Sequence, residues 1–118
     1  TQTLSLSGLQ GGWFALPDPS LSGSFKERYT AAYGRAPHPL AGLAYDAVAA
    51  VGALIAGGDS DALSRANLTQ RSGFAGVNGV FRLRDDGTNE RAMAVVEIEA
   101  NQVKVIDPAP RSFDSAGF

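Results

Sequence analysis

Hydrophobic positions near the start of the chain predict a short buried strand followed by an amphipathic helix. The apolar run Trp13–Leu16 lies between glycines and a proline, which is typical of a buried strand. Asp18 and Pro19 then supply a helix N-cap and a first-turn proline, and Gly34 supplies a C-cap. The helix predicted over residues 19–33 carries its apolar positions at helical spacing, at Leu21, Phe25, Tyr29, Ala32 and Tyr33.

The next segment has the clearest helical pattern in the chain. One stripe of apolar positions spans residues 40–55 and ends at Gly57-Gly58: Leu40, Leu43, Ala44, Ala47, Val48, Val51, Leu54 and Ile55. Alanines cover much of the remaining surface, so we expect this helix to be buried on more than one side. Asp59-Ser60-Asp61 predicts a further short helix that runs to about Leu68.

After Gly73 the apolar period changes from 3.6 to 2, which predicts an antiparallel meander of three strands. The strands are expected at residues 80–84, 92–99 and 102–106, with turns at Asp85-Asp86-Gly87 and Ala100-Asn101. Prolines within residues 107–110 end the regular structure, and we expect residues 111–118 to form a loose tail. The fold class is therefore α/β: a strand, two to three helices and then the meander.

This set of elements indicates part of a larger fold. A single strand near Trp13 is too little sheet for two helices, and a short hairpin is marginally stable alone. The chain begins at Thr1 without an initiator methionine, which we interpret as a cut inside a longer chain or a processed product.

Composition excludes several classes of function. The chain has 118 residues, a formal net charge of −2 and 19% charged residues, whereas nucleic-acid binding proteins usually carry a basic face. Its apolar runs are much shorter than the roughly 20 residues that span a bilayer. It has 0 cysteines, which removes disulfides, zinc–thiolate sites and thiol nucleophiles. We expect no nucleic-acid partner.

Few residues suggest catalysis or metal binding. The single histidine, His38, lies between two prolines in a connecting segment and is interpreted as a solvated loop residue. The sequence contains no G-x-S-x-G elbow, P-loop or G-x-G-x-x-G fingerprint. The acidic pairs Asp59/Asp61 and Asp85/Asp86 fit helix capping and a hairpin turn better than calcium binding. We therefore expect no enzyme activity, no cofactor and no metal.

Binding is the remaining class, and one junction is suited to it. Phe14, Leu16, Pro17 and Asp18 lie where the first strand ends and the first helix begins. In α/β sheets ligands collect at the carboxyl ends of strands, and helix N-termini favour anionic groups. An ordinary strand–helix turn with a core phenylalanine is the alternative reading.

Several motifs, taken in order along residues 4–107, resemble the C-terminal third of type I periplasmic binding proteins. The resemblance is to the Leu/Ile/Val receptor group of ABC importers. The closing Asp107-Pro-Ala-Pro-Arg-Ser-Phe is most similar to penicillin-binding-protein activators, which share that fold. The motifs are Gly12-Trp-Phe-Ala-Leu-Pro-Asp, Phe25-x3-Tyr29-x3-Tyr33-Gly34-x2-Pro37, Gly42-Leu-Ala-Tyr45-Asp46-Ala47-Val48, Gly73-Phe-x-Gly76-x2-Gly79 and Asp86-Gly87.

The resemblance implies two α/β lobes joined by three crossings, with the ligand between the lobes. Residues 1–73 would belong to one lobe and residues 80–107 to the other, with 108–118 as the tail. Residues 74–79 would form the last crossing, in which Gly73, Gly76 and Gly79 act as the hinge. The strand end at Phe14, Leu16, Pro17 and Asp18 would be the cleft segment present in this chain.

The resemblance leaves two functions open. The first is a periplasmic receptor for amino acids or similar small polar solutes that serves an ABC permease. The second is a receptor-like regulator of peptidoglycan synthesis whose partner is a cell-wall synthase. In both, the missing N-terminal part of the chain completes the fold, the location is periplasmic, and a lipid anchor on that part is an option. An unrelated free-standing α/β domain is the third alternative.

Overall fold

A computed structural model describes residues 5–113, which form a mixed helix and strand structure. A short 3-10 turn, Ser7–Leu9, precedes the regular elements. Its three helices are α1 (Pro19–Tyr33), α2 (Ala41–Ala56) and α3 (Arg65–Leu68). Its six strands are β1 (Trp13–Leu16), β2 (Phe74–Gly76), β3 (Gly79–Leu83), β4 (Asn89–Arg91), β5 (Ala94–Glu99) and β6 (Gln102–Asp107). The α/β class predicted from the sequence is confirmed.

Helix α1 has the boundaries that its capping residues predict. One carboxylate oxygen of Asp18 accepts hydrogen bonds from the backbone N–H groups of Ser20 (2.9 Å) and Leu21 (3.3 Å). Pro19 occupies the first turn, where its missing N–H costs nothing. At the other end Gly34 takes the left-handed conformation (φ 71°), and its N–H donates to Thr30. Local chemistry therefore fixes both ends of this helix.

Helix α3 begins later than the sequence predicts. The prediction started it at Asp59, but that carboxylate accepts from the backbone N–H of Asp61 (2.9 Å) within a turn. Ser64 is the actual cap, since its hydroxyl accepts from the backbone N–H of Asn67 (3.3 Å). Both aspartate and serine cap helices well, and the pattern could not decide between them.

The strands form two antiparallel sheets instead of one continuous meander. The first sheet has the order β1-β5-β6 and the second the order β2-β3-β4. The strand predicted over residues 92–99 begins at Ala94 as β5, and Ala92 and Met93 separate it from β4, a strand that the sequence did not predict. Before this point β4 pairs with β3, and beyond it β5 pairs with β1 and β6. Ala92 is buried and its N–H donates to the carbonyl of Val80, so the chain is still hydrogen-bonded to the second sheet one residue beyond β4.

The predicted alternation of buried and more exposed residues along β5 is confirmed. Ala94, Val96 and Ile98 are buried, and the cross-strand pairs Phe14↔Val96 and Leu16↔Ala94 place β1 beside them. The pairing of β1 with β5 places residues from both sides of the predicted crossing at 74–79 in the same sheet.

The apolar face of α2 is not buried within residues 5–113, in contrast to the prediction. Its buried residues are Gly42 and Asp46, whereas Val48 is 74% exposed and Ile55 is 56% exposed. Helix α2 packs against β2 with its other side, through Asp46. The predicted helix is therefore correct, but the described residues do not cover its apolar stripe.

Candidate functional site

A cavity of about 290 Å³ lies beside the N-terminus of α1. Asp18 is the member of the predicted ligand group that lines it; Phe14 is on the exposed surface of β1, and Leu16 and Pro17 are half-buried. The sequence-predicted glycines Gly76 and Gly79 also line it. The complete lining is Asp18, Leu21, Ala75, Gly76, Gly79, Val80, Pro110 and Arg111.

Asp18 is the acidic group of this cavity, and its two carboxylate oxygens have different partners. Oδ1 accepts from the hydroxyl and backbone N–H of Ser20 (2.7 and 2.9 Å) and from the backbone N–H of Leu21. Oδ2 lies 3.6 Å from a guanidinium nitrogen of Arg111. The Ser20 hydrogen bond is the main cause that lowers the pKa of Asp18, against the opposing effect of burial. Asp18 is therefore ionised at neutral pH.

Arg111 reaches the cavity from residues 108–113, which we call the C-terminal strap. The sequence predicted a loose tail from residue 111, but Phe113 is 3% exposed and packs with Val80 and Ala92. The guanidinium of Arg82 lies over the Phe113 ring, 4.6 Å from its centroid. The strap therefore returns from β6 to the second sheet. Residues 114–118 of the predicted tail lie outside the described residues.

Asp46 stabilises the wall of the cavity that contains Gly76 and Gly79. Its side chain is 2% exposed and accepts hydrogen bonds from the backbone N–H groups of Val77 (2.7 Å) and Asn78 (3.4 Å). The Asn78 side chain is in turn hydrogen-bonded to the hydroxyl of Ser22 in α1 (3.1 Å). The turn between β2 and β3 is thus held by both long helices. Sequence reasoning missed this role, although an aspartate inside an otherwise apolar helix was a visible signal.

The three predicted hinge glycines lie in or beside the β2–β3 hairpin, and two of them have no room for a side chain. A Cβ on Gly76 would overlap the Asp46 carboxylate. A Cβ on Gly73 (φ 66°) would overlap the carbonyl of Phe81 and lie 2.9 Å from the Phe113 ring. Gly79 (φ 100°) adopts a conformation that L side chains rarely take. Their role as a hinge stays a prediction.

The other polar candidates have local structural roles. His38 is exposed, and its Nδ1 accepts from the backbone N–H of Leu40 (3.1 Å) ahead of α2. Asp86 accepts from the backbone N–H of Thr88 (2.9 Å) in the β3–β4 turn, and hydrogen bonds from Thr88 lower its pKa. Across residues 5–113 no three histidine, aspartate or glutamate residues cluster as a metal site would require. No helix in the same range is long and apolar enough to cross a membrane.

The sheet topology, the helices and the sequence together define the class of protein. The sequence profile of the family described as periplasmic binding protein matches residues 2–103, and the chain belongs to this family. The type I periplasmic-binding-protein resemblance inferred from the motifs is confirmed. No curated protein matches the chain.

Two solved structures are similar to the chain. A putative branched-chain amino acid ABC transporter protein from Rhodospirillum rubrum matches with a TM-score of 0.71 and 20% identity, over 85% of this chain and 32% of that one. A leucine binding protein from Thermotoga maritima matches with a TM-score of 0.49 and 21% identity, over 84% of this chain and 31% of that one. The chain therefore spans about a third of their length, and the first likeness shows the fold.

Proposed function

We propose that this chain forms one wall of the ligand cleft in a periplasmic receptor for amino acids or similar small polar solutes, and that the receptor serves an ABC importer. The observation that carries the proposal is the cavity that joins Asp18 to Gly76 and Gly79. Three parts of the chain that are distant in sequence meet there, at the strand–helix junction where ligands bind in α/β folds. Membership of the periplasmic binding protein family supports it, as does the likeness to the branched-chain amino acid ABC transporter protein from Rhodospirillum rubrum.

The proposed mechanism is closure of two lobes around the solute by bending at a hinge, which is how receptors of this kind bind. Two observations restrict the position of the hinge: β1 pairs with β5, and Asp46 holds the β2–β3 turn through a hydrogen bond to Val77. Both favour bending where the chain leaves the first sheet for α1, at Pro17–Asp18, and where it returns from the second sheet to the first, at Ala92–Met93, over bending within residues 74–79.

The test is a thermal-shift screen of the intact protein against the twenty standard amino acids, short peptides and muropeptide fragments. A ligand at a hundred times its dissociation constant adds about 2.7 kcal/mol of stability, which raises the melting temperature measurably. We expect one or a few amino acids to give this rise.

Absence of any rise would contradict the receptor proposal. The alternative would then be the regulator of peptidoglycan synthesis, which the similarity of residues 107–113 to penicillin-binding-protein activators favours. A rise with muropeptide fragments alone would also favour that alternative. A pull-down from an envelope extract that recovers a cell-wall synthase and not a permease would support it independently.

A further inference from the structure

We propose that Asn78 is a site of spontaneous deamidation, and that the packing of its side chain between α1 and α2 keeps it unreactive in the folded protein. Asparagine is among the chemically labile residues of proteins, and Asn78-Gly79 is the one Asn-Gly pair in the sequence. Glycine in the second position favours the reaction, because it has no side chain that would hinder attack by its own backbone nitrogen. The site goes beyond the proposed receptor function and does not depend on it.

The reaction that defines the site uses water as its co-reactant. The backbone nitrogen of Gly79 loses its proton and bonds to Cγ of Asn78. The bond from Cγ to Nδ2 breaks, Nδ2 takes up a proton and leaves as ammonia, and a cyclic succinimide remains. Water then opens the ring at either carbonyl carbon. Opening at Cγ gives aspartate, whereas opening at the main-chain carbonyl carbon gives isoaspartate, in which the main chain runs through Cβ and Cγ.

The main chain around the reacting groups is fixed by the β2–β3 turn. Gly76 pairs with Gly79 across the hairpin, and Gly79 takes a φ of 100°. The backbone N–H groups of Val77 (2.7 Å) and Asn78 (3.4 Å) donate to the buried carboxylate of Asp46. A backbone rotation that brings the Gly79 nitrogen towards Cγ of Asn78 therefore requires release of the turn.

The side chain of Asn78 is held from two sides. On one side its amide is hydrogen-bonded to the hydroxyl of Ser22 in α1 (3.1 Å). On the other side it lies against Gly42 in α2, so closely that a Cβ on Gly42 would come 2.8 Å from Nδ2 and 3.3 Å from Cγ. The carbon that must be attacked is therefore packed against a helix, and it cannot turn towards Gly79 while both contacts persist.

Deamidation in the folded protein consequently proceeds through a minor state in which the turn has opened. The observed rate is the rate in the unfolded chain multiplied by the fraction of molecules in that open state, which the local contacts determine. A single hydrogen bond changes such a fraction roughly twofold to tenfold. The amount of modified protein thus records how long the turn has been open.

Modification would damage the wall of the cavity that contains Gly76 and Gly79. Isoaspartate lengthens the main chain at residue 78, beside the two N–H groups that donate to Asp46. A buried carboxylate that loses its hydrogen-bond donors is destabilising. We therefore expect the isoaspartyl form to unfold at a lower temperature than the unmodified protein.

The experiment follows residue 78 by peptide mapping with mass spectrometry, in intact protein incubated at mildly alkaline pH with and without denaturant. Replacement of the amide NH2 by OH changes the peptide mass, and chromatography separates the isoaspartyl and aspartyl peptides. We expect Asn78 to convert at least tenfold faster in denaturant than in native buffer. Asn101, which is exposed and is followed by glutamine, is the internal control and should convert slowly in both.

Two variants test the packing of the side chain. Ser22→Ala removes the hydroxyl, and Gly42→Ala pushes the amide away from α2 while alanine favours the helix. We expect each to raise the rate in native buffer roughly twofold to tenfold and to leave the rate in denaturant unchanged. Ser24→Ala and Gly52→Ala are the matched controls and should keep the wild-type rates. The Ser24 hydroxyl bonds to the carbonyl of Ser20 in its own helix, and a Cβ on Gly52 meets nothing within 4 Å.

The outcomes that would overturn the inference are distinct. Absence of conversion in denaturant would remove the site, and equal wild-type rates with and without denaturant would remove its protection. Wild-type rates in both Ser22→Ala and Gly42→Ala would show that the packing is not the cause. An isoaspartyl form, separated by chromatography, that melts at the same temperature as the unmodified protein would contradict the damage to the turn. A solute takes no part in these measurements, so the receptor proposal is tested separately.

Discussion

Gly76→Ala is expected to lower the free energy of unfolding by about 2–4 kcal/mol, the range for overpacking a core and disturbing a buried hydrogen-bonded carboxylate. The added Cβ would overlap the carboxylate of Asp46, which has no open space because its side chain is 2% exposed. If Asp46 moves away, the backbone N–H groups of Val77 and Asn78 lose their acceptor. Chemical denaturation of the intact protein measures the effect.

The matched control is Gly52→Ala. Gly52 also lies in a well-defined element, α2, but a Cβ there meets nothing within 4 Å. Alanine favours a helix over glycine by about 1 kcal/mol, so this variant should be at least as stable as the wild type. Comparing the two variants separates the specific overlap at Gly76 from the general effect of replacing a glycine.

A second comparison tests whether Asp46 is the cause. In an Asp46→Ala background the space beside Gly76 is open, and Gly76→Ala should then cost much less than it does in the wild type. Equal costs in the two backgrounds would contradict the contact. Unchanged stability together with weaker solute binding would instead favour the sequence prediction that Gly76 belongs to a hinge.

The parts of the fold that could be predicted from the sequence are those fixed by neighbouring residues. The bounds of β1 and α1 follow from Pro17, Asp18, Pro19 and Gly34, whose effects act within one turn of the chain. The same holds for α2, whose helical stripe ends in glycines. Asp18 entered the candidate site for the same reason, since a strand end followed by a helix cap is a local signal.

The features that the sequence could not supply depend on contacts between distant residues. The three residues of β4, Asn-Glu-Arg, have no apolar alternation, so nothing in the pattern near Ala92 shows that β4 pairs with β3 while β5 pairs with β1. Arg111 is 93 residues from Asp18 along the chain (111 − 18), and no spacing rule connects them. The exposure of the α2 stripe is a third case, since periodicity identifies an apolar face but not the surface that covers it.

Phe113→Ala is expected to lower the free energy of unfolding by about 3–5 kcal/mol, as for other buried phenylalanines. The ring is 3% exposed and packs with Val80 and Ala92, and the Arg82 guanidinium lies over its face. Removing it leaves a cavity at the point where the strap joins the second sheet. Chemical denaturation measures the loss, and Phe113→Leu, which keeps most of the buried volume, should cost less than about 1.5 kcal/mol.

The same substitution tests whether the strap positions Arg111. Arg111 is two residues from Phe113, so an unanchored strap would leave its guanidinium without a fixed place beside Asp18. We expect Phe113→Ala to weaken amino-acid binding and Phe113→Leu to retain it, with both measured well below the melting temperature of the weaker variant. Full stability of Phe113→Ala would contradict the burial of the strap. Lost stability with unchanged binding would place the solute away from Arg111, because a rigid strap would then be needed for folding and not for recognition.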